Sequence, residues 1–246
     1  HQLATEILCM LIPELLLPAL KNKKTDIIGD WPMKYSLTSI AILLTAILTG
    51  FTGTFRDSFD DGNDKEWERW GQGSWKVVDG QYTITSTSGV TGSIWGETKW
   101  SNYTVEVKAH AIEADFIGIG IRHLDPNNCY GWALNIVDRE MSWMVQFAGN
   151  WNFITNDAIP GNPLEAHLYK VVVSADKFKG YFDGKLIHEW QDKRFKTGRV
   201  SVAICCDGSE AIFDNFVITG KGVPNAGFAV SSQGKLTTTW AMIKAN

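Results

Sequence analysis

Glu106 and Arg122 are the ionisable pair whose placement best suits work on a ligand. Tyr103, Val105 and Val107 face one way along their stretch, with Glu106 opposite them. Ile117, Ile119 and Ile121 do the same in theirs, with Gly118, Gly120 and Arg122 on the other side. If the two stretches are neighbouring strands, Glu106 and Arg122 share a concave surface. Gly118 and Gly120 would leave room there for a ligand to approach the backbone. An arginine offers a planar fork of donors to sugar hydroxyls or a carbonyl oxygen, and a glutamate can act as a base. The competing reading is an exposed ion pair across strands.

Aromatic and acidic residues add two further candidate sites. Trp95, Trp151 and Trp70 lie near turns or on faces not assigned to the core, where an indole can receive the C–H face of a sugar ring. The alternative is that these indoles fill a large core. Asp57, Asp60, Asp61, Asp64 and Asp214 concentrate carboxylates near the first and last strands. If those strands pair, Asp60 and Asp214 are the candidates for a calcium site, although Asp-rich turns usually serve only as turns. His110, His123, His167 and His188 show no metal-type spacing. No other cofactor is indicated. Cys9 lies in the leader, leaving Cys129, Cys205 and Cys206. An odd count leaves one thiol unpaired, and a bridge from Cys129 to either of the others stays open.

The elements that must position these residues are strands. The chain has 246 residues, of which 20% are charged and 12% aromatic, too few charges and too many rings for disorder. A net charge of -4 with no basic run argues against a nucleic-acid partner. Residues 1–32 read as a doubtful upstream segment, and 33–53 as a signal peptide or anchor: Met33 and Lys34 precede the apolar run Leu37 to Leu48. Residues 35–55 carry the only membrane contact foreseen, if uncleaved. Export to the periplasm, cell surface or medium is expected. From 54 to 220 runs of five to nine residues alternate apolar and polar, with turn signals at Asp183-Gly184 and Asp207-Gly208. About a dozen short strands predict an all-β, two-sheet antiparallel jelly-roll sandwich. Residues 221–246 form a tail, and Asn102-Tyr-Thr104 is a glycosylation sequon.

Six motifs in order resemble the concanavalin A-like lectin/glucanase superfamily, in its laminin-G-like and 3-keto-disaccharide hydrolase branch. They are Asp57-Ser-Phe-Asp60 with Trp67, Trp75-Lys-Val-Val-Asp-Gly80, Trp100-Ser-Asn-Tyr-Thr-Val-Glu106, Arg122-His-Leu-Asp-Pro-Asn-Asn128, Tyr181-Phe-Asp-Gly-Lys185 and Phe213-Asp-Asn-Phe216. The resemblance implies the sandwich fold and a carbohydrate ligand. It does not carry a catalytic set. Glucanases of the superfamily place Glu-x-Asp-x-x-Glu on one strand, and the nearest match, Glu113-Ala-Asp115-Phe-Ile-Gly118, ends in glycine. Relatives commonly read Tyr-Tyr-Arg-Phe-Glu where this chain has Cys129-Tyr-Gly-Trp-Ala133, so two outward polar positions have become Gly131 and Ala133.

The leading expectation is a glycan-binding or adhesion module using Glu106, Arg122, Trp95 and Trp151 on its concave face. The alternative is a hydrolase of 3-keto-glycosides with Glu106 as its catalytic candidate. A second alternative is a protein-interaction domain of laminin-G type, which an apolar concave face around Met144 and Cys129 would favour.

Overall fold

The computed structural model describes residues 52–227. The expectations for 1–32, for a signal or anchor over 33–53, and for the tail beyond 227 lie outside these residues, apart from Thr52 and Gly53. The described chain is strands and turns without a helix. In order the strands are β1 (Thr52–Asp57), β2 (Glu68–Val78), β3 (Gln81–Trp95), β4 (Tyr103–Glu113), β5 (Phe116–Asp125), β6 (Asn128–Asn135) and β7 (Glu140–Phe147). There follow β8 (Asn150–Phe153), β9 (Asp157–Ala158), β10 (His167–Ser174), β11 (Lys177–Phe182), β12 (Lys185–Gln191), β13 (Arg199–Cys205) and β14 (Glu210–Lys221).

All pairings between these strands are antiparallel, and one ladder runs β12-β11-β10-β4-β14-β3-β13-β5-β6-β7-β8. The ladder curls over itself into the expected jelly-roll sandwich, with one layer around β10, β4 and β14 and the other around β13, β5, β6 and β7. The inward residues of both layers form a single apolar cluster: Val105 and Val107 of β4, Ile117, Ile119 and Ile121 of β5, Trp132 of β6 and Trp143 of β7 all belong to it. Each such buried side chain stabilises the fold by roughly 1.5–3 kcal/mol. Asp183 and Gly184 take φ of 47° and 77°, the left-handed pair that a two-residue hairpin requires, and so join β11 to β12.

Two expectations about neighbours change. β4 and β5 do not pair, because β14, β3 and β13 stand between them in the ladder. Nor can Cys129 bridge to Cys205. Cys205 is level with Phe116 on β5, whereas Cys129 lies one residue beyond the Tyr130–Ile121 pair. Six residues of strand separate those levels, about 20 Å at roughly 3.3 Å per residue, far beyond disulfide reach. Cys129, Cys205 and Cys206 are free thiols.

Candidate functional site

Small side chains make one outer face of the sandwich hollow. The register aligns Ser201, Gly120, Gly131 and Met144 across β13, β5, β6 and β7. The adjacent row is Ala203, Gly118, Ala133 and Ser142. Both rows lie opposite the core-facing Ile117, Ile119, Trp132 and Val202. Over this floor sits a cleft of about 240 Å³. Trp70 closes one end from β2, paired to Gly92, which is itself opposite Ala203. Trp151 and Phe153 of β8 close the other, opposite Gln146 and Met144. Phe116 and Cys205 line one side and Cys129 the other.

The floor has little room to change. A Cβ on Gly118 would fall 2.4 Å from the Trp132 carbonyl oxygen, so the close approach of β5 to β6 requires glycine there. A Cβ on Gly131 would meet first the flexible Met144 methyl at 3.2 Å and then the Trp151 ring at 3.6 Å, both inside the cleft. The lining is apolar, and it includes no Asp, Glu, His, Lys or Arg among the described residues.

A polar corner stands behind Trp70. His123 is fully buried, its Nδ1 lies 3.3 Å from Ser201 Oγ, and the Trp70 ring meets it edge-on at 5.4 Å. Burial, helped by the nearby Arg199 cation, pulls the imidazole down to about 4, so it is neutral at pH 7. Arg199 in turn binds the Glu68 carboxylate and holds it below the usual range.

The expected site residues scatter. Glu106 sits on the outer face of the opposite layer, where its carboxylate pairs with Lys170 Nζ at 2.7 Å; the core separates it from the cleft. The surface shared by Glu106 and Arg122 therefore does not exist. Arg122 is 2% exposed. Its φ of 48° accompanies a break in the β5–β6 register between Ile121 and Asp125, which turns the side chain inward. There the guanidinium donates to the carbonyl oxygens of Phe195, Ser101 and Ala175 and lies over the Phe178 ring. Trp95 is also interior, stacked on Phe55 with centroids 3.8 Å apart. Trp151 and Trp70 are the two named indoles that reach the cleft.

The first and last strands do pair, through β1 and β14. Burial raises the Asp214 carboxyl and Asp60 adds repulsion. Even so, among the described residues no three of His, Cys, Asp and Glu gather to hold a metal ion. Several carboxylates are already engaged: Asp57 accepts from Trp67 Nε1 at 2.8 Å, Asp64 from Arg69, and Asp60 from Ser58. Sequence reasoning missed Phe153, Ser201 and Ala203 as cleft residues. The available signal was three stretches whose core-facing residues alternate with Gly, Ala or Ser: 117–121, 130–134 and 200–204.

The chain belongs to the family of 3-keto-alpha-glucoside-1,2-lyase-like domains, whose model matches residues 54–219. No curated protein matches it in sequence. Among solved structures it is similar to the carbohydrate-binding module CBM66 from Bacillus subtilis, with TM-score 0.55 and 17% identity over 61% of this chain and 93% of that one. It is also similar to the GH43 protein BlXynB from Bacillus licheniformis, with TM-score 0.53 and 17% identity over 67% of this chain and 39% of that one. A galectin-like protein of unknown function from Bacillus subtilis gives TM-score 0.52 and 14% identity over 70% of this chain and 96% of that one. At these identities the likeness is one of fold. Family and fold together make this a carbohydrate-related β-sandwich domain.

Proposed function

We propose that the domain is a glycan-binding module that holds a sugar in the cleft between Trp70 and Trp151. The observation that carries this reading is the pairing of two half-buried indoles with a floor of Gly, Ala and Ser on one sheet face. A pyranose presents C–H groups that pack on such rings, while the small floor lets it approach the backbone. Export, signalled by residues 33–53, belongs to the same proposal. Hydrolysis or elimination needs an acid or base at the reacting bond. Among the described residues the cleft lining holds no Asp, Glu, His, Lys or Arg for that work, which favours binding over turnover. The test is retention of the purified protein on an oligosaccharide panel that includes 3-keto-disaccharides, read by calorimetry and by mass spectrometry of the sugars. Trp151→Ala is expected to weaken binding about tenfold, the worth of ~1.4 kcal/mol. Unchanged affinity removes the cleft from the reading, and product release converts the module into an enzyme.

A second reading, a laminin-G-type domain for a protein partner, is favoured by the apolar lining and by exposed Phe147, Phe153 and Ile154 at one end. Failure of every glycan to bind, together with partner capture lost on Phe153→Ser, selects it.

A further inference from the structure

Cys205 ends β13 on the wall of the cleft beside Phe116, and Cys206 follows it in the turn. Successive side chains of an extended strand point to opposite faces. Cys206 instead takes φ 93°, a conformation uncommon for a residue with a Cβ, so the alternation that would send its thiol to the face opposite that of Cys205 is broken at this residue. The turn is tied in place. Cys206 N–H donates to Gly89 O at 3.0 Å, Ser209 N–H to Cys206 O at 3.2 Å, and Ser209 Oγ to Cys205 O. Both thiols are half-buried, so a small reagent can reach them, whereas Cys129 is buried and a cleft's width away.

We propose that Cys205 and Cys206 are a vicinal dithiol that closes to a disulfide between adjacent residues, a redox modification site on the cleft wall. The oxidant is a low-molecular-weight disulfide. The Cys205 thiolate attacks one of its sulfurs and expels a first small thiol, leaving a mixed disulfide. The Cys206 sulfur then attacks the Cys205 sulfur and expels the second. Two protein thiols are oxidised, one small disulfide is reduced to two thiols, and the protein's two protons leave on those products. Adjacent Cα atoms are ~3.8 Å apart, closer than the roughly 4.4–6.8 Å that disulfides usually span. The bond is accordingly strained and readily reduced, as labile disulfides are. Burial raises both thiols above the ordinary range, so closure is slow at neutral pH and quickens as pH rises.

The full chain, reduced and then exposed to oxidised glutathione at mildly alkaline pH, is alkylated after unfolding and mapped by peptide mass. The expected product is a 205–206 peptide two hydrogens lighter than the dithiol form and free of alkyl label. The label returns after mild reduction. Cys206→Ser should arrest the reaction with glutathione on Cys205. Full alkylation of both cysteines, lasting glutathione adducts on the unmutated pair, or a bridge from either to Cys129 or Cys9 overturns the proposal.

Discussion

Arg122→Ala separates a structural arginine from a ligand-binding one. The substitution removes a guanidinium whose Nη1 donates to Phe195 O at 2.6 Å and whose Nη2 donates to Ser101 O at 3.1 Å and to Ala175 O. It also removes the cation lying 5.1 Å from the Phe178 ring centroid. Three loop carbonyls lose their donor in an interior that water enters poorly, at about 1–3 kcal/mol each when left bare. Partial rehydration of the void offsets part of that, leaving a net loss of about 3–5 kcal/mol. The φ of 48° adds nothing to the difference, since arginine and alanine both carry a Cβ. Urea unfolding followed by tryptophan fluorescence measures the loss. With a slope of about 2–3 kcal/mol per molar urea, the midpoint should fall by about 1–2.5 M. Arg122→Lys should recover less than half, because one ammonium cannot span carbonyls that a planar fork reaches. A midpoint that moves by less than ~0.3 M, with glycan binding abolished, would refute the reasoning and return Arg122 to the ligand surface.

Two glycines of the cleft floor should respond oppositely. Gly131→Val points into the cleft against Met144 and Trp151, so ligand retention should fall about tenfold or more while stability changes by less than ~1 kcal/mol; calorimetry and urea unfolding read the two effects. Gly118→Ala drives a methyl into the backbone of Trp132 and Ala133 and should cost about 1–3 kcal/mol of stability, read by the same unfolding curve. His123 makes folding sensitive to acid. Its value in the fold, about 4, lies below the ordinary 6.5, so between those pH values the unfolded chain binds the extra proton. The stability it supports is fully present above pH 6.5 and is lost as pH falls toward 4, by up to about 3 kcal/mol. Unfolding midpoints across that range should show the slope, and His123→Gln should flatten it; an unchanged slope assigns the acid sensitivity to other groups.

The strands, the hairpin at Asp183-Gly184 and the core-facing residues were legible because period-2 alternation and turn chemistry act locally. Val105, Ile119 and Ile121 were assigned to one face from their own segments and are fully buried. The site was harder to read because it depends on which strands become neighbours. Glu106 and Arg122 looked like partners only on the premise that β4 and β5 pair, and three strands intervene. Arg122 also breaks the alternation used to place it: the register slip after Ile121 reverses its direction, and nothing in the hydrophobic pattern marks that slip. Trp95 was misplaced for a related reason. Its nearness to a turn was read as exposure, but Phe55 of β1, a strand forty residues earlier, covers it.

The departures at Gly131 and Ala133 have two consequences that belong together. Where relatives of the resembled branch commonly carry Arg and Glu, long polar side chains would rise from β6 through the space now open between Trp70 and Trp151. Their absence removes groups able to move a proton, and it also creates the depth of the cleft. Restoring one of them tests whether these consequences can be separated. Ala133→Glu would place a carboxylate on an apolar floor with no cation lining the cleft among the described residues, where desolvation raises its pKa and keeps it protonated near neutrality. Such a group can donate a hydrogen bond to a sugar oxygen but is a poor base. The variant should therefore change which sugars bind without producing turnover of a 3-keto-disaccharide. Turnover in the variant alone would instead mean that the unmodified cleft already positions a substrate for reaction and lacks only the proton-transfer group.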